Sequence, residues 1–363
     1  MFTMLNKIII IFFVLSLNSN IVTAATASPT PTAEETLEEM TLEQKVGQLF
    51  LAKYEGFNPL SVAQEYHLGG FIWYAKDFII KFPQKVRNEI SFIQDNVTIP
   101  MFIAVDEEGG TVNRISSYRQ YRNEPFLTPR DYFTEGGWSL VENIETEKAE
   151  LLNDLGLNLN LGIVVDIPLS SEDYIFPRSF STNADDVSLL TDKVVKIYKD
   201  KKVGNVLKHF PGYGNNVDTH QGIAYDNRSL SELKMKDFLP FEAGIKSDVN
   251  GILISHTIFT QIDPINPSSL SKDVISLLRN DLKYNGLIIT DDLLMDGLSS
   301  LVTPEESAIL AVEAGNDLLI SSQVQKQIPA ILLSIEEGRL TEERIDESVL
   351  RILNSKIQLE IIK

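Results

Sequence analysis

The sequence predicts an α/β fold, a single-domain (β/α)8 TIM barrel, on three observations. Eight short apolar runs recur along the chain, amphipathic stretches separate them, and five of the runs end on polar residues. Runs rich in β-branched and aromatic residues suit strands buried on both faces, and their alternation with helices implies a parallel sheet. Eight such units suggest closure into a barrel.

The runs are VGQLFLAKY (46–54), GGFIWYA (69–75), MFIAVD (101–106) and LNLNLGIVVD (157–166). VGNVLKH (203–209), GILISH (251–256), GLIITDD (286–292) and NDLLISS (316–322) follow. Between them lie helical patterns such as VENIETEKAELLNDLG, DDVSLLTDKVVKIYKDKK, SLSKDVISLLRNDLKY and TPEESAILAVEAG. Ser229 with Glu232 reads as a capping box, Pro304 suits a first helical turn, and Gly315 and Gly338 are placed to end helices. The last pattern, TEERIDESVLRILNSK, is amphipathic and is expected to pack outside the barrel. An open doubly wound sheet is the competing fold, but its Gly-rich turn after the first strand is missing.

Composition narrows the function. With 363 residues, 43% hydrophobic, 23% charged, 20 Gly and 15 Pro, the chain is neither collagen-like, coiled-coil nor mostly disordered. It has no Cys, which excludes disulfides, thiolate metal sites and a Cys nucleophile. A net charge of −19 argues against a nucleic-acid partner.

The first residues read as an export signal. Lys7 precedes an apolar core, Ile8–Leu17, and Val22 and Ala24 stand at the −3 and −1 positions of a cut before Ala25. The domain expectation is therefore a signal peptide over 1–24, a Pro/Thr-rich linker over 25–37 and the barrel over 38–363. The protein is expected to be exported, secreted or held at the cell envelope, with no stable membrane span once the signal is cleaved.

Barrel chemistry sits at the C-terminal ends of the strands. Those ends carry Asp106, Asp166, Lys208 with His209, His256, and Asp291 with Asp292. Of the four histidines, His67 reads as structural or solvated. Within KHFPGYGNNVDTHQG (208–222), Asp218 and His220 are close enough for the carboxylate to orient the imidazole and raise its basicity. Spacing alone leaves open an Asx turn beside a surface histidine. Adjacent residues in extended chain point opposite ways, so only one of Asp291 and Asp292 is expected to face a reaction centre. No metal is expected, because neither an H-x-H on the first strand nor an H-E-x-x-H helix is present.

IAVDEEGGTVNRI, RSFS, KHFPGYGNNVDTH and GLIITDDLLMDG resemble, in order and spacing, the signatures of glycoside hydrolase family 3. The Asp-x-His loop is similar to that of its bacterial β-N-acetylhexosaminidase branch. The resemblance implies a single barrel, no cofactor, and a carbohydrate substrate such as a GlcNAc-containing saccharide or muropeptide. It implies Asp291 as nucleophile, His220 as general acid/base and Asp218 as its activating partner. It further implies Asp106, Arg114, Arg178, Lys208 and His209 as sugar-binding residues. Lys208 and Arg178 would also hold the nucleophile ionised. A β-glucosidase or β-xylosidase with the same machinery, or a non-catalytic saccharide-binding barrel, are the alternatives.

Four departures from the pattern stand out: Tyr213 stands for a second His, Lys76–Asp77 for Arg-Asn, Pro177 for a Gly, and Gly162–Ile163 for Ala-Pro. They bear on the preferred leaving group. The stretch from Gly109 to Trp138 holds Arg114, Arg119, Arg122 and Arg130 among Tyr118, Tyr121, Phe126 and Tyr132. Part of it is expected to line the leaving-group side, with Arg119 and Arg122 recognising a carboxylate.

Overall fold

The computed structural model describes residues 31–216 and 222–363. Eight parallel strands form its sheet: β1 (Phe50–Lys53), β2 (Gly70–Trp73), β3 (Phe102–Val105) and β4 (Leu159–Val164), then β5 (Gly204–Phe210), β6 (Gly251–Ile254), β7 (Leu287–Thr290) and β8 (Leu319–Ser321). Seven fall inside one of the apolar runs, and β5 extends one residue past its run, to Phe210. The order is β8-β1-β2-β3-β4-β5-β6-β7. Closure comes from Thr290 N–H donating to Leu318 O at 3.0 Å and Leu318 N–H to Ile288 O at 3.1 Å. The chain is a TIM barrel.

Strand parity divides the core into two shells. Leu51, Ile72, Phe102, Ala104, Val206, Leu253, Leu287, Ile289 and Ile320 belong to a cluster inside the barrel. Their neighbours Phe50, Phe71, Trp73, Ile103, Val105, Leu207, Ile252, Ile288 and Leu319 pack outward against the helices. The alternation carries forward to the residue beyond each strand, which decides what faces the mouth.

Two strands break the alternation. Pairing between β4 and β5 shifts between Asn160 and Ile163, and pairing between β5 and β6 shifts between Lys208 and Phe210. A bulge inserts a residue and re-aims the side chains beyond it. In β5, Leu207 and Phe210 both pack outward, so the two residues between them, Lys208 and His209, both turn to the mouth.

The helices follow local signals. Ser229 and Glu232 form the expected capping box before Leu230–Met235, and Gly315, at φ 115°, ends the helix Pro304–Ala314. The helix after β3, Pro129–Leu155, is longer than its sequence pattern and kinks at Gly137, whose φ of 63° and ψ of −160° lie outside helical space. The terminal helix Glu342–Gln358 packs on the barrel as expected, and its Ile352, with Leu359 beyond it, reaches the interior cluster.

The expected signal over 1–24 and residues 25–30 of the expected linker lie outside the described residues. The rest of that linker is not one. Thr32 caps a helix, Ala33–Glu38, in which Ala33 is buried in the core. The capping box Thr32–Glu35 supplies the helix start that a Pro/Thr-rich reading overlooks. Among the described residues no helix is long and apolar enough to cross a membrane.

Candidate active site

A cavity of about 500 Å³ opens at the C-terminal mouth of the barrel. Asp106, Arg114, Arg178, Lys208, His209 and Asp291 all line it. Asp218 and His220 lie outside the described residues.

Strand parity explains most of this set. Phe102 and Ala104 point into the barrel, so Asp106 and Glu108 continue on that side. Leu287 and Ile289 do the same for Asp291, and Ile72 for Tyr74. Glu107, of opposite parity, is buried beneath the following loop. Its carboxylate accepts from the main-chain N–H groups of Arg114 (2.7 Å), Ile115 (2.8 Å) and Ser116 (3.1 Å), fixing the turn that presents the Arg114 side chain.

A buried ionic network forms one wall. Glu108 receives a bidentate pair from Arg178, Nε at 2.9 Å and Nη2 at 2.8 Å, and Lys208 Nζ at 2.6 Å. Lys208 also donates to Asp106 Oδ1 at 2.8 Å. Burial pushes the Glu108 carboxyl up, but the charges of Lys208 and Arg178 outweigh it and hold the group at about 2. Burial likewise disfavours charge on Lys208, and Asp106 with Glu108 more than offset it, so its pKa is raised. Lys208 thus pairs with both Asp106 and Glu108, and Arg178 with Glu108. The sequence reading passed over Glu108, although its position two residues after Asp106 on an inward-facing run was the available signal.

His209 is set by Asp166, which is fully buried. The carboxylate accepts from His209 N–H (3.1 Å), its ring Nδ1 (2.6 Å) and Tyr213 N–H (2.9 Å). With Nδ1 as donor, Nε2 is the acceptor, and Arg178 Nη2 approaches it at 3.4 Å. The loop beyond turns at Gly212, where φ is 130° and a Cβ would come 2.4 Å from Asp237 Oδ1. Arg228 ties this turn down by donating to Gly212 O (3.0 Å) while pairing with Asp226 and Asp237.

Both Asp291 and Asp292 border the cavity, and the Asp292 carboxylate also holds the turn that follows β7. Extended geometry ends at Thr290, and a turn follows. Asp292 N–H donates to Asp291 Oδ1 at 2.9 Å, and Asp292 Oδ1 accepts from Leu294 N–H at 3.0 Å. His256 supports the turn from behind through Nε2, which donates to Asp292 O at 2.9 Å. Burial raises the Asp292 pKa, helped by the charge of Asp291, against the lowering effects of the Leu294 N–H, His256 and Lys53.

The arginine-rich stretch behaves differently from expectation. Arg122 Nε and Nη2 pair with Glu147 (2.9 and 3.2 Å) and its guanidinium lies 4.2 Å from the Phe126 ring centre. Arg130 caps the carbonyls of Phe176 and Phe180. Arg119 is exposed, and neither it nor Arg122 borders the cavity. Thr111, Val112 and Arg114 are what this stretch contributes to the wall. Of the departures from the family pattern, Pro177 borders the cavity. Asp77 accepts from Tyr74 N–H at 2.8 Å, and Tyr213 is buried with its ring 5.5 Å from that of His209.

A TIM barrel whose C-terminal mouth carries paired carboxylates opposite a lysine–arginine–carboxylate network has the construction of a barrel enzyme. Residues 41–355 match the family model described as the glycosyl hydrolase family 3 N terminal domain, and the chain belongs to that family. It is 27% identical over 324 residues to Beta-hexosaminidase A of Pseudoalteromonas piscicida, covering 81% of this chain and 54% of that protein. It is 30% identical over 235 residues to a Beta-hexosaminidase of Idiomarina loihiensis, covering 61% of this chain and 67% of that one. Among solved structures, a glycoside hydrolase family 3 beta-N-acetylglucosaminidase from Paenibacillus sp. superposes with a TM-score of 0.82 at 29% identity. That match covers 89% of this chain and 63% of the other. The chain thus spans between half and two thirds of the length of these relatives.

Proposed function

We propose that this protein is a retaining β-N-acetylglucosaminidase that removes terminal β-linked GlcNAc from peptidoglycan fragments and related oligosaccharides outside the cytoplasm. The observation that carries the reading is Asp291 at the tip of β7, on the wall of a cavity that also holds Asp106, Arg178, Lys208 and His209. The names of its relatives, beta-hexosaminidases and a beta-N-acetylglucosaminidase, support the sugar. The N-terminal signal pattern supports export.

In the first step an Asp291 carboxylate oxygen attacks the anomeric carbon, and the bond from that carbon to the leaving oxygen breaks. His220, oriented by Asp218, gives its proton to the leaving oxygen. In the second step water attacks the same carbon, His220 takes a proton from the water, and the ester to Asp291 breaks. Two inversions return the β configuration. Lys208 and Arg178, already held by Asp106 and Glu108, orient sugar hydroxyls at little entropic cost because their rotamers are fixed before binding. A histidine suits both proton transfers because its ordinary pKa lies near neutrality.

The test is an aryl-glycoside panel with the purified protein. Release from 4-nitrophenyl β-GlcNAc well above release from the β-glucoside and β-xyloside is expected. Preference for either of the latter overturns the sugar assignment, and release from none overturns the activity. Comparing GlcNAc release from muropeptides and from chitobiose then ranks the natural substrates.

A further inference from the structure

We propose that Tyr74 is a substrate-contacting residue, its phenol O–H donating to an oxygen of the sugar that sits over Asp291. The proposal rests on the glycosidase reading above and adds to it a residue on the β2 side of the mouth.

Tyr74 follows β2 and borders the cavity, its ring packed against the barrel-interior cluster. The ring is well fixed. Its main-chain N–H donates to Asp77, and two cations lie within cation–π range, Lys53 Nζ at 5.4 Å and the Arg114 guanidinium at 5.9 Å from the ring centre. The hydroxyl itself makes no hydrogen bond among the described residues, although the residue is half-buried.

The neighbouring carboxylates already accept from other groups. Asp106 Oδ1 takes Lys208, Glu108 takes both Lys208 and Arg178, and Asp292 Oδ1 takes the Leu294 N–H. Burial, with the negative charges of Asp292, Asp106 and Asp291, holds the phenol far above the range in which it ionises, so it stays a donor at every working pH. Arg114 adds a second unspent donor on the same wall. Its Nε is buried without a partner, and its Nη2 is 4.0 Å from Asp106, beyond hydrogen-bond reach. Donors on a cavity wall without protein acceptors are completed by a ligand that brings them, and sugar oxygens do so.

The experiment compares the full chain with Tyr74→Phe, which removes only the hydroxyl. Substrates are 4-nitrophenyl β-GlcNAc and analogues lacking one ring hydroxyl or the acetamido group. The expected result is a loss of roughly three- to tenfold in kcat/KM on the parent substrate, the worth of one neutral hydrogen bond, carried mainly by KM. The loss should vanish on the one analogue that lacks the contacted oxygen, while the melting temperature is unchanged. Turnover by Tyr74→Phe within twofold of wild type, or an equal loss on every analogue, overturns the assignment. Wild-type protein that cleaves no member of the series fails the glycosidase reading instead, a distinguishable outcome.

Discussion

Glu108→Gln tests the buried network most sharply, because it keeps the shape and removes the charge that Arg178 and Lys208 share. The folded carboxyl is held at about 2, against an ordinary value of 4.5. A carboxyl depressed on folding adds stability that is complete above the unfolded value and disappears as pH falls through the folded one. The window is thus pH 4.5 down to 2, and the difference corresponds to about 3 kcal/mol. Removing one partner of a buried ion pair costs a similar amount, about 3–5 kcal/mol. A compact unit running from Pro31 to Lys363 unfolds with an entropy of roughly 0.7 kcal/mol/K, so the melting temperature should fall by about 4 °C at pH 6. Scanning calorimetry at intervals from pH 6 to pH 2.5 reads both quantities. The gap between the proteins should narrow steadily below pH 4.5. Equal melting temperatures at pH 6, or a gap that stays constant to pH 2.5, refutes the reasoning.

Three further outcomes follow from other sites. Lys356 is fully buried in the terminal helix with Gln48 Oε1 at 2.7 Å, and burial lowers its pKa to about 7. The unfolded chain then binds a proton that the folded one lacks between pH 7 and 10.5, so stability should rise with pH across that window by up to about 5 kcal/mol. Lys356→Met should flatten this rise and melt a few degrees higher at pH 7, read by calorimetry at both pH values. Asp292 has a raised pKa, so folded protein holds the proton more tightly and stability falls as pH rises through its titration. Asp292→Asn should therefore melt higher than wild type at pH 7 and no higher at pH 3, while kcat/KM drops. Arg122→Ala removes a salt bridge and a ring contact away from the cavity, and should lower the melting temperature by about 1–2 °C while leaving KM within twofold.

The fold was legible because buried parallel strands are continuous apolar runs, and all eight lie where those runs do. Strand ends were legible too, since Asp106, Lys208 and Asp291 each extend an inward-facing series. What the sequence hid has identifiable causes. The shift in β5 that turns Lys208 and His209 to the same side has no residue signature, and neither does the turn that puts Asp292 beside Asp291. Glu108 was readable from its spacing to Asp106, but its partner Arg178 comes from beyond β4, a contact no local pattern encodes. The arginines near 120 looked like ligands because composition alone cannot distinguish a guanidinium spent on Glu147 from one facing a cavity.

The covalent role of Asp291 is tested most directly by incubating the protein with a fluorinated mechanism-based glycoside of GlcNAc and sequencing the labelled peptide by mass spectrometry. A sugar adduct on Asp291, absent from Asp291→Ala, is the expected result. An adduct on a different side chain, or a hydrolysis product released with the α configuration, contradicts the account.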